Sequence, residues 1–351
     1  MTILFAAMEN SLLVLESSSN GDNVDNGWKV NEQLKGLHPT AIAIDPQKNS
    51  NRVYCGTWND GLWKTDNSGQ TWEKTLLTIS NANITSVSVS PIEKGEDRFN
   101  TVFVGTEPSI IFSSSDGGQT WEKIDGFNKL DSSSTWAFPP RPWTNHVRWI
   151  EPDVNEKDYL FVAIEAGALI KSFDGGKTWK DRVKSGPYDT HTLVSHKKAP
   201  QRLYSAAGDG YFESQDYGMT WKNSNKGLED NTYLMSIAVN PNNPQNKVVS
   251  AANRAWKAHD RKDAESFLYR QFATEEDVDI KWELVTQGIF ESRGTIISIL
   301  ESNPTNKDEF YCLNNRGIYC SKDSGISWEK LEIPWPKEYN LQHLWALAIK
   351  E

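Results

Sequence analysis

Glutamate and histidine recur at matched places along this 351-residue chain. The residue closing the second strand-like segment of successive repeats is Glu9, Trp58, Glu107, Glu165, Gly208, Asn253 and Asn315. Three glutamates at a turn that requires none suggest chemistry rather than scaffold. The first segment of each repeat gives a second column. Aligned on the following Asp-Pro-like turn, His146 and His191 take the place of Thr40 and Thr85. His38 lies two residues earlier in its repeat, and His343 falls near the same level in the last segment. Arg148 stands in a column otherwise filled by Ile42, Val87 and Leu193. A charge among aliphatic residues needs a partner, and Glu151 and Glu165 are the candidates. Histidine and carboxylate suit a divalent transition metal such as iron, manganese or zinc. His38, His146, His191 and His343 are therefore the expected metal set, with Glu165, Arg148 and Glu107 as the expected catalytic groups. The alternative is that the histidines hydrogen-bond to backbone and water.

Two stretches are longer than the repeat requires. Residues 128–145 contain the run WAFPPRPW, and residues 253–264 contain Arg254, Trp256, Lys257 and His259. Aromatic rings beside cationic side chains suit a lid over a polar, anionic or sugar-like ligand. Trp58, Trp143, Tyr188, Arg254, Trp256 and Arg293 are the expected ligand-binding residues. The alternative is that residues 128–145 plug the structure and their tryptophans are core.

The elements that must position these groups are repeated. Residues 114–121 read SSDGGQTW; residues 172–179, 214–221 and 321–328 repeat the phrase, and residues 65–72 repeat it with Asn67 at the acidic place. Trp28, Trp72, Trp121, Trp179, Trp221, Trp282 and Trp328 are 44, 49, 58, 42, 61 and 46 residues apart. A period in that range means a repeat architecture. Each repeat divides into four short strands separated by turn-forming clusters; in the second repeat these are 41–44, 52–57, 61–65 and 72–76. Seven such units predict an all-β, seven-bladed propeller built as one domain over residues 1–351. Residues 2–34 supply only strands two to four of a blade. Residues 341–349 are expected to supply its first strand, pairing beside the N-terminal strands and leaving no blade edge open.

The SxDxGxTW phrase resembles the Asp-box, or BNR repeat, of sialidases, xyloglucan-cleaving hydrolases, sortilin-type receptors and photosystem II assembly factors of the Ycf48 type. The resemblance covers nearly the whole chain. It implies a propeller whose boxes are structural turns and whose ligands sit at the other end of the strands, at the mouth of the central channel. A sialidase-like site would cast Arg148, Arg254 and Arg293 as carboxylate grips, with Tyr188 and Glu165 beside them. The arginine motif near the sialidase N-terminus is missing here, and sialidases have six blades. Families that share the turn do not share a chemistry.

Bulk properties narrow the partners. A net charge of −10 with no basic run argues against nucleic acid and anionic membranes. The acidic run at residues 274–279 reads as a solvated turn. Three cysteines, Cys55, Cys312 and Cys320, form no disulfide framework. The N-terminus has no basic start and carries Glu9 in its apolar stretch, so a secretory signal is not expected. No run approaches a membrane span. A cytoplasmic location is the expectation. Two functions follow. One is a binder of a small polar or anionic ligand, extending to a metal-dependent or glycoside-type hydrolase or lyase. The other is a non-catalytic platform for a protein partner.

Overall fold

The computed structural model describes residues 1–17, 27–75, 83–95, 99–272 and 281–351. The acidic run 274–279 and Leu76 lie outside them. The chain groups into two compact units, residues 37–223 and residues 1–36 with 224–351.

The unit of residues 37–223 holds four antiparallel sheets. The first pairs Pro39–Ile44, Val53–Thr57, Leu62–Thr65 and Glu73–Lys74 in that order. The second pairs Asn83–Lys94, Asn100–Glu107, Ile111–Ser114 and Glu122–Ile124. The third pairs Val147–Pro152, Leu160–Ile164 and Ala168–Ser172, and its fourth place is a single bridge between Lys171 and Lys180. The fourth pairs Thr190–Ser195, Leu203–Ala207, Gly210–Ser214 and Lys222–Asn223. The other unit holds three sheets, one of which joins Leu344–Lys350 to Ile3–Met8 from Ile3↔Lys350 through Ala7↔Ala346. The expected closure of the N-terminal blade by the last strand is therefore present. Together the sheets are the seven blades of an all-β propeller.

Second strands such as Val53–Thr57, Leu160–Ile164 and Leu203–Ala207 are buried along their whole length. They are covered on both faces, so they read as near-continuous apolar or small runs rather than alternating ones. Cys55 and Cys312 lie on such second strands and Cys320 on the buried third strand Gly317–Ser321, all as free thiols.

The five full boxes share one geometry. In the box of residues 114–121, Ser114 Oγ donates to Asp116 at 2.8 Å and accepts the Gly118 N–H at 2.8 Å. Asp116 in turn accepts the Thr120 hydroxyl at 2.5 Å and its N–H at 2.9 Å. The same bonds close the boxes around Asp174, Asp216 and Asp323. The box around Asn67 keeps the bonds of Thr65 and the Thr71 N–H, but Asn67 Nδ2 donates to the Thr71 hydroxyl at 2.8 Å. The glycine has positive φ in each, for example 88° at Gly118 and 86° at Gly176. At Gly176 an added Cβ would also stand 2.5 Å from Ile124, so only glycine fits. Each box follows its third strand, so it lies at the opposite end of the sheet from the turn between strands two and three.

Candidate functional site

A bulge recurs where first strands begin. Pairing skips one residue between Pro39 and Ala41, Ile84 and Ser86, Val147 and Trp149, and Thr190 and Thr192. The skipped residues are Thr40, Thr85, Arg148 and His191. A bulge residue leaves the ladder and is free to be re-aimed. In two blades it serves the scaffold: Thr40 Oγ1 donates to the Ile84 carbonyl at 2.6 Å, and Thr85 Oγ1 to the Val147 carbonyl at 2.7 Å. In the next two blades the same place carries Arg148 and His191, and both face Glu165. Arg148 Nε is 3.5 Å from Glu165 Oε2, and His191 Nε2 is 3.9 Å from Oε1.

This register corrects the sequence alignment. The turn following these strands is capped by Asp45, Ser90, Asp153 and His196, each accepting backbone N–H groups two or three residues on. The turn acid of the third sheet is Asp153, beyond Glu151-Pro152. Arg148, not His146, thus shares the place of Thr40, Thr85 and His191. His146 stands two residues earlier, level with His38, Asn83 and Asp189.

Glu165 is the hub. His146 Nε2 is 2.6 Å from its Oε2. Burial opposes the Glu165 charge, but the His146 hydrogen bond and the charges of His146, Arg148 and His191 outweigh it and hold the carboxyl far below its usual range. An ionised carboxylate only accepts, so His146 Nε2 carries the proton. The other nitrogen, Nδ1, lies 3.4 Å from Glu107 Oε2. Glu107 is gripped in turn by Arg141, Nε to Oε1 at 2.7 Å and Nη2 to Oε2 at 2.6 Å. That bidentate bond raises the Arg141 pKa further. His191 is 1% exposed, and its Nε2 also lies 3.5 Å from Asp189 Oδ2. Burial lowers the His191 pKa, but Asp189 and Glu165 outweigh it and leave the value raised. Asp189 Oδ1 accepts the Ala166 N–H at 2.8 Å. The result is a continuous run: Arg141, Glu107, His146, Glu165, His191, Asp189, with Arg148 on the central glutamate.

The long stretch 128–145 supplies one end of this run. Short 3-10 turns at Phe127–Lys129 and Asp131–Thr135 lead into Trp136, which is buried against Phe127. Phe138 then packs edge-on to His146, with ring centroids 4.8 Å apart. Arg141 sits over Phe138 at 4.7 Å and over Trp58 at 5.0 Å. Trp136 is core, while Trp143 is 80% exposed. Tyr188 is also exposed, beneath the Arg182 guanidinium at 5.4 Å. Glu151 points elsewhere. It accepts the N–H and hydroxyl of Ser195, both at 2.8 Å, and burial pushes its pKa up to about 7.

Of the expected metal set, the structure brings His146 and His191 to one carboxylate. His38 is exposed, and its carbonyl accepts the Trp58 N–H. His343 belongs to the other unit, between His259 and Trp345, where its N–H donates to Glu9. Arg254 and Trp256 are in that unit too, stacked at 5.0 Å, and Arg293 is exposed there. Arg141 and Asp189 are the site residues that sequence reasoning missed. The signal for Asp189 was its place two residues before His191, just ahead of the strand Thr190–Ser195.

No family model matches the chain, and no curated protein matches it. Solved structures do. An ancestral GH74 enzyme is 17% identical with a TM-score of 0.62; the match covers 89% of this chain and 38% of that one. The GH74 enzyme of Niastella koreensis is 16% identical with a TM-score of 0.55, over 92% of this chain and 55% of that one. This chain thus spans little more than a third to about half of the length of those two enzymes. YCF48 bound to D1 peptide is 20% identical with a TM-score of 0.53, over 83% and 81%. At these identities the likeness is one of fold: this chain is built as a β-propeller, like the GH74 and YCF48 structures.

Proposed function

We propose that this chain is a binding module, which takes a polar ligand at the cluster around Glu165 without cleaving it. The observation that carries this reading is the exchange at the bulge. Where two blades spend the position on a hydroxyl-to-carbonyl tie, the next two place Arg148 and His191 against a buried carboxylate. Charges are costly to bury and the scaffold does without them in the neighbouring blades, so their use here speaks for recognition. Cleavage of a glycoside needs a carboxylic acid kept protonated near neutral pH. Glu165 is held ionised, and Glu107 is locked by Arg141, so neither is poised for that role.

Arg148 suits a carboxylate on the ligand, and Glu165 with Asp189 suit hydroxyl donors. A sugar acid has both. The test is calorimetric titration with glucuronate in the presence of chelator, with glucose as the neutral control. Glucuronate should bind more tightly than glucose, and Arg148→Ala should weaken it about tenfold or more, as loss of a charge-assisted hydrogen bond would. Equal binding of both sugars, or of neither, would overturn the proposal.

A second reading rests on Trp143, 80% exposed beside Arg141. A large exposed aromatic suits a protein partner. The peptide held by YCF48 gives this platform reading its precedent on the same fold. Capture of a partner lost on Trp143→Ala but kept on Arg148→Ala would favour it.

A further inference from the structure

We propose that Glu165, Asp189 and His191 form a divalent metal site. One ligand atom from each lies within 4.8 Å of the others. His191 Nε2 faces Asp189 Oδ2 and Glu165 Oε1. Their spacing is informative: Nε2 is 3.5 Å from Oδ2 and 3.9 Å from Oε1. Three donors held at about 2.0–2.2 Å by one ion would stand about 3–3.5 Å from one another. The spacing is close to what a shared ion requires, with a small inward movement.

The second oxygens of both carboxylates are already engaged. Glu165 Oε2 takes His146 at 2.6 Å and Arg148 at 3.5 Å. Asp189 Oδ1 takes the Ala166 N–H at 2.8 Å. Each carboxylate is thus oriented by one oxygen and turns the other toward His191, the arrangement by which outer groups aim metal ligands. Backbone fixes the same geometry: His191 is the bulge residue of its strand, and Asp189 precedes that strand by one residue. The ligands differ from the four histidines expected from the sequence, with His191 common to both sets. Two carboxylates balance the charge of a divalent ion. Mixed imidazole and carboxylate donors suit zinc, manganese or iron over calcium. Asp189 and Glu165 are partly exposed, which leaves a side open for water or ligand oxygen.

This site does not rest on the sugar-acid reading. The glucuronate titration is run in chelator and the metal titration without sugar acid, so either can fail alone. The metal test uses the chelator-stripped full chain, titrated with Zn2+ and separately with Mn2+. One ion per chain is expected, and Asp189→Asn should weaken its uptake about tenfold or more. Ring-nitrogen NMR of the unaltered chain gives an independent reading, since Zn2+ should shift the His191 Nε2 resonance. Absence of uptake, uptake unaffected by Asp189→Asn, or a His191 resonance indifferent to Zn2+ would overturn the site. So would uptake lost in His38→Ala or His343→Ala and kept in Asp189→Asn, which would restore the four-histidine set.

Discussion

Arg141 and Glu107 show how much a single side chain carries at this site. Glu107 is 7% exposed, and its charge is matched by the Arg141 fork. Removing one partner of such a pair leaves the other charge buried alone. Arg141→Ala should cost about 2–4 kcal/mol, read from the urea midpoint. Protonation gives a second lever. Glu165 is depressed, so its contribution is present above the unfolded carboxyl pKa, near 4.5, and fades as pH falls toward the folded value. His191 is raised, so its contribution is present below about 6.5 and fades as pH rises through the folded value. Glu151 runs the other way from Glu165. Its folded pKa of about 7 means the native state prefers the proton, so stability drops as pH rises from about 4.5 to about 7. Glu151→Gln removes that titration. The stability of Glu151→Gln relative to wild type should improve between pH 4.5 and pH 8 in melting experiments; a constant difference would refute the assignment.

The Asp-boxes are the elements in which sequence and structure agree most closely. The side chains of Ser172, Asp174 and Thr178 bond to one another and to backbone N–H groups of their own box. Asp174 accepts the Thr178 hydroxyl at 2.6 Å, its N–H at 2.8 Å and the Ser172 hydroxyl at 2.8 Å. Asp174→Ala should cost about 1–2 kcal/mol and lower the melting temperature by roughly 2–6 °C. Ligand and metal uptake should be unchanged, because the box lies at the other end of its sheet from Glu165. A loss of uptake at full stability would move function to the boxes. The box aspartates stay ionised well into acid. Partial burial opposes the Asp116 charge, but hydrogen bonds from Thr120 and Ser114 bring its pKa down to about 2. The support that this box gives is thus lost only as pH falls from about 4 toward 2.

At the scale of the molecule, the period and the boxes made the propeller legible, and the three strands at one end with the single strand at the other made its closure legible. Both are local and repeated signals. The site was legible only in part. Glu165, His146, Arg148 and His191 stood out because repeats offer a standard against which an odd residue shows. The two-residue slip at Arg148 arose because Glu151-Pro152 imitates the turn that Asp153 makes. Arg141 was hidden because its contact with Glu107 depends on the path of an irregular loop, which no period fixes. Asp189 was hidden because an aspartate before a strand reads as a turn residue.

The three thiols have a use of their own. Cys55 lies in the unit of residues 37–223, and Cys312 and Cys320 lie in the other. Burial pushes the pKa of each upward, to about 12 for Cys312 and Cys320. A thiol is alkylated as its thiolate, so none should react while its unit stays closed. Each therefore times the opening of the unit that holds it. Pulse alkylation read by mass spectrometry should label Cys312 and Cys320 together, and the rate for Cys55 would show whether the two units open as one or separately. The chain thus carries its own clocks for unfolding, with no added label.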